Sequence, residues 1–178
     1  GKFVSVAGIA GDFTPAIYSN YGPGINISAP GGDQDYYFEY APKDANGNVI
    51  KDYMGSVGCI LSTIPEWHTE SQIGDLDGDF YGYGYMEGTS MACPHVSGVV
   101  ALGLAYAKKL GKEYTYDEFL SMIYSSVNNI DYYIETSKKK SNGIDFDLTK
   151  YWQAMGTGAI DTWRLYMQIE GTPTLVAK

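Results

Sequence analysis

Gly88-Thr89-Ser90-Met91-Ala92-Cys93-Pro94-His95-Val96-Ser97-Gly98 runs into Val99, Val100, Ala101, Leu102, Leu104 and Ala105, so the stretch is apolar on every side of a helical period. Such a segment reads as a buried helix from Met91 to Ala107 rather than an amphipathic surface one. Ser90 stands at its start, where first-turn N–H groups have no intrahelical acceptor and the helix dipole favours developing negative charge. Pro94 has no N–H to give to the carbonyl of Ser90, four residues back, so helical bonding is interrupted beside the serine. Gly88 permits a tight approach, and Gly98 and Gly103 would let the helix pack closely on neighbouring backbone. A lone serine in this position is most often an N-cap.

The eleven residues resemble the nucleophile motif of the subtilisin-like serine proteases, with only the interchangeable small positions Cys93 and Ser97 left loose. The resemblance implies that Ser90 is the nucleophile and contributes its backbone N–H to an oxyanion site. Gly88, Thr89, Met91, Pro94, His95 and Gly98 would then be the motif's structural frame. In the family the motif histidine is structural, so His95 is not expected to be the base. Further segments follow the family's order: Phe3 to Ile9 as a buried strand, Tyr18-Ser19-Asn20-Tyr21-Gly22 as a turn, and Ile25 to Gly32 as a strand with an alanine-proline-glycine loop. Gly58 to Pro65 is similar to the next strand, and Tyr85-Met86-Glu87 leads into the nucleophile turn. Gly156-Thr157-Gly158-Ala159-Ile160-Asp161 resembles the glycine-rich lead into the last helix, with Asp161 structural. The likeness runs from residue 3 to residue 168, interrupted by insertions.

A hydrolytic triad also needs a base and a carboxylate, and in the subtilisin order both precede the serine. Upstream of Ser90 the one histidine is His68, in Pro65-Glu66-Trp67-His68-Thr69, and no His-Gly-Thr-His or Asp-Ser/Thr-Gly segment occurs. Asn20 stands in the wrong local sequence to be the family's oxyanion asparagine. The resemblance therefore implies a truncated chain, residues 1–178, forming the C-terminal part of a peptidase domain whose Asp, His and oxyanion Asn lie upstream. Alone it should be inert.

Among 178 residues, 44% are hydrophobic, enough for one domain with a core. A net charge of −9 argues against nucleic acid or an anionic membrane as partner. No run is expected to approach the roughly 20 apolar residues that cross a bilayer. Lys138-Lys139-Lys140, beside Ser141-Asn142-Gly143, reads as a solvated loop. Two cysteines, Cys59 and Cys93, make no disulfide framework and are expected as free core thiols. Asp75-Leu76-Asp77-Gly78-Asp79 resembles the start of a calcium loop, but Met86 stands where the closing glutamate belongs; an acidic hairpin turn is favoured and no cofactor is expected.

Thr115 and Glu118 form a capping-box pattern ahead of Tyr116, Phe119, Leu120, Ile123 and Val127 at helical spacing. Tyr81, Tyr83 and Tyr85 share one strand face, read first as ordinary packing and second as substrate-subsite lining. Residues 33–57, with Asp44-Ala45-Asn46-Gly47-Asn48 at their turn, read as a hairpin insertion, and 171–178 as a tail. Gly1 without a methionine reads as a processing or cloning scar at the edge of a longer, exported protein.

The expected fold is α/β, part of a mainly parallel sheet with helices on both faces. Two other classes stay open: a non-catalytic peptide- or partner-binding relative of the same fold, and a half-domain that self-associates through an exposed edge strand.

Overall fold

The computed structural model describes residues 3–33, 44–48, 58–65, 83–134, 138–141 and 144–171. In chain order the strands are β1 (Val6–Ile9), β2 (Ile27–Pro30), β3 (Ile60–Thr63), β4 (Tyr83–Met86), β5 (Val127–Asn128), β6 (Lys138–Ser141), β7 (Ile144–Asp147) and β8 (Ala159–Ile160). The helices are α1 (Thr89–Lys109), α2 (Tyr116–Ser125), α3 (Asp131–Ile134) and α4 (Thr162–Glu170), with a 3-10 turn at Thr149–Tyr151.

The central sheet runs β1-β2-β8-β5, parallel through its first three strands and closed by antiparallel β5. Side chains alternate across it as the pleat requires. Ile27 and Ala29 of β2 face α1, α2 and α4, where Ala92, Val96, Phe119, Ile123, Leu165 and Ile169 complete one core. Ala7 and Ile9 of β1 and Ala159 of β8 face the other way, onto Ile130, Ile134, Leu148, Tyr151 and Met155. Each fully buried aliphatic side chain stabilises this packing by roughly 1.5–3 kcal/mol. The expected α/β arrangement, with helical structure on both faces of a mainly parallel sheet, is what forms. β1 is an edge strand among the described residues.

Two helix starts carry side-chain caps, the first of them the expected capping box. Thr115 accepts from Glu118 N, and the Glu118 carboxylate accepts in return from Thr115 N at 2.8 Å, closing the capping box of α2. Its period ends earlier than expected, because Val127 turns away into β5. The Asp161 carboxylate caps α4, accepting from Arg164 N at 3.0 Å and from Asn128 Nδ2 at 2.8 Å. Asp161→Ala should cost about 1 kcal/mol, the usual worth of an N-cap, read as a lower urea midpoint with unchanged slope.

Three expectations are corrected. α1 is not buried all round: it packs on β1, β2 and α4 through Ala92, Val96, Gly103 and Ala107, while Leu102 and Leu104 on the opposite side are 52% and 49% exposed. Composition cannot say which flank of a uniformly apolar helix meets the sheet, and no described element covers the second flank. The same helix is long and apolar enough, by length and composition, to cross a membrane, which the sequence reading had excluded; its packing here is that of a sheet-covering helix. Gly98 has nothing near its missing Cβ, whereas a Cβ on Gly103 would meet Leu165 Cδ2 at 2.7 Å, so only Gly103 is a packing glycine.

The second correction concerns the lysine run. It forms β6, paired antiparallel with β7, and Lys139 is buried, with Nζ 2.6 Å from Asp33 Oδ2 and 3.0 Å from the Pro15 carbonyl. The third concerns the thiols, which are both free, but Cys93 is exposed on α1 and Cys59 only half-buried. Within the suggested insertion, Asp44–Asn48 forms a tight turn, Gly47 N donating to Asp44 O at 2.9 Å. Its flanking segments, and the tail after Gly171, lie outside the described residues.

Candidate active site

β4 delivers the chain to Gly88, which occupies the N-cap position of α1 at φ 148 and ψ 161. Only glycine adopts that region without strain. The turn is held from both sides: Gly88 N donates to the Gly31 carbonyl at 2.8 Å, while Gly88 O accepts from Met91 N at 2.9 Å and Ala92 N at 3.2 Å. No side chain caps α1. Ser90 therefore does not serve as the cap; it sits in the first turn, exposed, with its hydroxyl uncommitted to helix termination.

Ser90 lines an open cleft of about 620 Å³ together with Val6, Thr89, Cys93, Pro94 and Ser97. Val6 belongs to the edge strand, so the cleft lies where β1 meets the start of α1. α1 continues through Pro94, whose missing N–H leaves the Ser90 carbonyl without its regular partner. The exposed His95 ring donates from Nδ1 to the Met91 carbonyl at 2.8 Å, a bond along its own helix. Thr89 and Met91 are half-buried beside the serine, and Gly98 faces outward about two turns past it.

The Gly31-Gly32-Asp33 loop abuts this turn. Gly31 N donates to Ile9 O at 3.0 Å and Asp33 N to Gly58 O at 2.7 Å. The Asp33 carboxylate accepts from Lys139 and also from Ile17 N at 3.1 Å. Cys59 lies beside this acidic group. Burial, with smaller contributions from Glu87 and Asp33, pushes its thiol up to about 11. The thiolate, the reactive form, is thus scarce at neutral pH. Alkylation of Cys59 by iodoacetamide should rise about tenfold per pH unit from 8 towards 10, measured by peptide mass spectrometry; a plateau below pH 9 would contradict the shift.

Of the other residues singled out in the sequence, Asn20 is exposed in the turn after β1, and its carbonyl accepts from Ser19 Oγ. Tyr83 and Tyr85 do share the outer face of β4, with Tyr83 49% exposed and Gly84 buried between them. Tyr81, His68 and the acidic run Asp75, Asp77, Asp79 lie outside the described residues. No cluster of three or more potential metal ligands occurs among the described residues. What the sequence reading missed was the Tyr18 hydroxyl and the Asp33–Lys139 pair behind the turn into α1; the available signal was the Ala29-Pro30-Gly31 loop, which carries no mark of its distant partners.

Residues 2–148 match the sequence profile of the subtilase family. The chain belongs to that family. Among curated relatives of this subtilase, the extracellular basic protease of Dichelobacter nodosus is 32% identical over 108 residues, 61% of the present chain and 12% of that protein. Pyrolysin of Pyrococcus furiosus is 29% identical over 180 aligned positions, 87% of this chain and 12% of the relative. The chain thus spans about an eighth of the length of the curated relatives it matches. A solved protease structure from Pseudoalteromonas arctica superposes with a TM-score of 0.54 at 26% identity, covering 95% of the subtilase chain and 36% of its own. The fold is a partial subtilisin-like α/β fold.

Proposed function

We propose that this subtilase chain is the nucleophile-bearing half of a serine endopeptidase domain acting on polypeptides. Ser90 Oγ attacks the peptide carbonyl, and a histidine from an upstream segment takes its proton and passes it to the leaving amine. An upstream aspartate orients that histidine, and water then releases the acyl group. The Ser90 backbone N–H, with an upstream asparagine, holds the oxyanion. Gly88, Thr89, Met91, Pro94, His95 and Gly98 frame the turn rather than react.

The observation that carries this reading is Ser90 itself: exposed at the mouth of a cleft, in the first turn of α1, with a glycine and not a serine at the cap. Among the described residues, the exposed apolar flank of α1 and the edge position of β1, whose Val6 lines the cleft, support an upstream half as partner. The name of the Dichelobacter relative supports an exported protein.

Covalent labelling by a fluorophosphonate probe tests the proposal, using these 178 residues and a chain extended upstream by about one domain's length. The extended protein should label at Ser90 and the short chain should not. A folded extended protein that takes no probe would instead indicate a non-catalytic binding relative, and self-association of the short chain would be visible by light scattering.

A further inference from the structure

We propose that Tyr18 is a positioning residue for Ser90: its hydroxyl holds the Gly31–Gly32 loop in the place from which the Gly31 carbonyl fixes Gly88 and the turn into α1. The inference rests on Ser90 being the nucleophile. The Tyr18 hydroxyl hydrogen is shared between the carbonyls of Gly31, at 2.8 Å, and Gly32, at 2.5 Å. The Gly31 carbonyl in turn receives Gly88 N at 2.8 Å, and the Gly88 carbonyl receives the first N–H groups that follow Ser90. One phenol therefore lies two hydrogen bonds from the backbone that aims the serine.

The seat is tight enough to transmit position. A Cβ on Gly31 would stand 2.8 Å from the Tyr18 hydroxyl, 2.9 Å from the Gly88 carbonyl and 3.1 Å from Gly8 Cα. The Tyr18 ring rests against β1, 3.3 Å from where a Gly8 Cβ would be. Ring and hydroxyl have separate tasks, because phenylalanine would fill the same space while leaving the Gly32 carbonyl without its donor. Burial pushes the hydroxyl's pKa up, against an opposing contribution from Gly88 N–H, so it stays a donor through the alkaline range. The loop's far end is anchored independently by Asp33, so loss of the hydroxyl frees its Gly31 end without unfolding it.

The test is Tyr18→Phe in the full-length protein, with Tyr151→Phe as comparison, since Tyr151 OH bonds only the Ile17 carbonyl at 3.4 Å among the described residues. Two quantities are read: hydrogen exchange at the Gly88 amide, and the fluorophosphonate reaction at Ser90 resolved into its saturation constant and its maximal rate. Tyr18→Phe should unfold as cooperatively as wild type, exchange Gly88 N–H about tenfold faster, and label about tenfold more slowly at saturation with an unchanged saturation constant. Tyr151→Phe should move neither. Wild-type exchange and labelling in Tyr18→Phe would overturn the proposal, and so would equal losses in both variants. If folded wild type takes no probe, the nucleophile reading fails on its own; Gly88 exchange then still decides whether Tyr18 holds the turn, faster exchange upholding it and unchanged exchange overturning it.

Discussion

Ser90→Ala in the full-length subtilase should reduce kcat by about 10⁶-fold, the scale seen on removing the nucleophile of subtilisin itself, and should abolish fluorophosphonate capture. The fold should be untouched. Ser90 is exposed, no cap of α1 depends on it, and alanine is the better helix former in a first turn. The measurement pairs peptide hydrolysis with thermal unfolding. A variant that keeps wild-type kcat would remove Ser90 from the chemistry whatever its motif, and a variant that loses both activity and folding would make Ser90 structural. His95→Gln offers the contrast: its ring is tied to the Met91 carbonyl and does not take the serine's proton in the proposed reaction, so it should lose far less activity.

Lys139→Met is the substitution with the largest expected cost to stability. It leaves the Asp33 carboxylate 1% exposed, with its ammonium partner gone. Breaking one side of a buried ion pair costs about 3–5 kcal/mol, because the remaining charge keeps its desolvation penalty without the compensating attraction. For a chain of this size that corresponds to a fall in Tm of roughly 6–20 °C. Pairing it with Asp33→Leu should recover most of the loss, since two apolar groups of similar volume need no partner. A single variant that melts within a degree of wild type would mean that water reaches the pair, against its burial. The ion pair joins β6 to the loop beside the nucleophile turn, so the destabilised variant should also label more slowly at Ser90.

The turn from Gly88 into α1 was legible in the sequence because its determinants are local. A glycine that must take a positive φ, a serine at the start of an apolar run and a proline four residues later each act on neighbouring backbone. The capping box of α2 was readable for the same reason. Rules of period and capping operate between neighbours.

What only the tertiary structure decided lies between residues far apart in the chain. Lys139 was placed in a solvated loop because a lysine run has no local reason to be buried; its partner Asp33 is 106 positions away. The uniform apolarity of α1 left its orientation undetermined, and contact with β1, β2 and α4 chose one flank and left Leu102, Leu104 and Cys93 outside. The Tyr18 hydroxyl meets the Gly31 and Gly32 carbonyls only in the fold, where Gly88 N also reaches Gly31 O from 57 positions along the chain. Sequence by itself determined the family and the local geometry that presents Ser90, since those depend on residue types at short spacing. Burial, ion pairing and the bracing of the turn depend on which surfaces meet, and those meetings are set by chain topology rather than by any stretch of residues read in order.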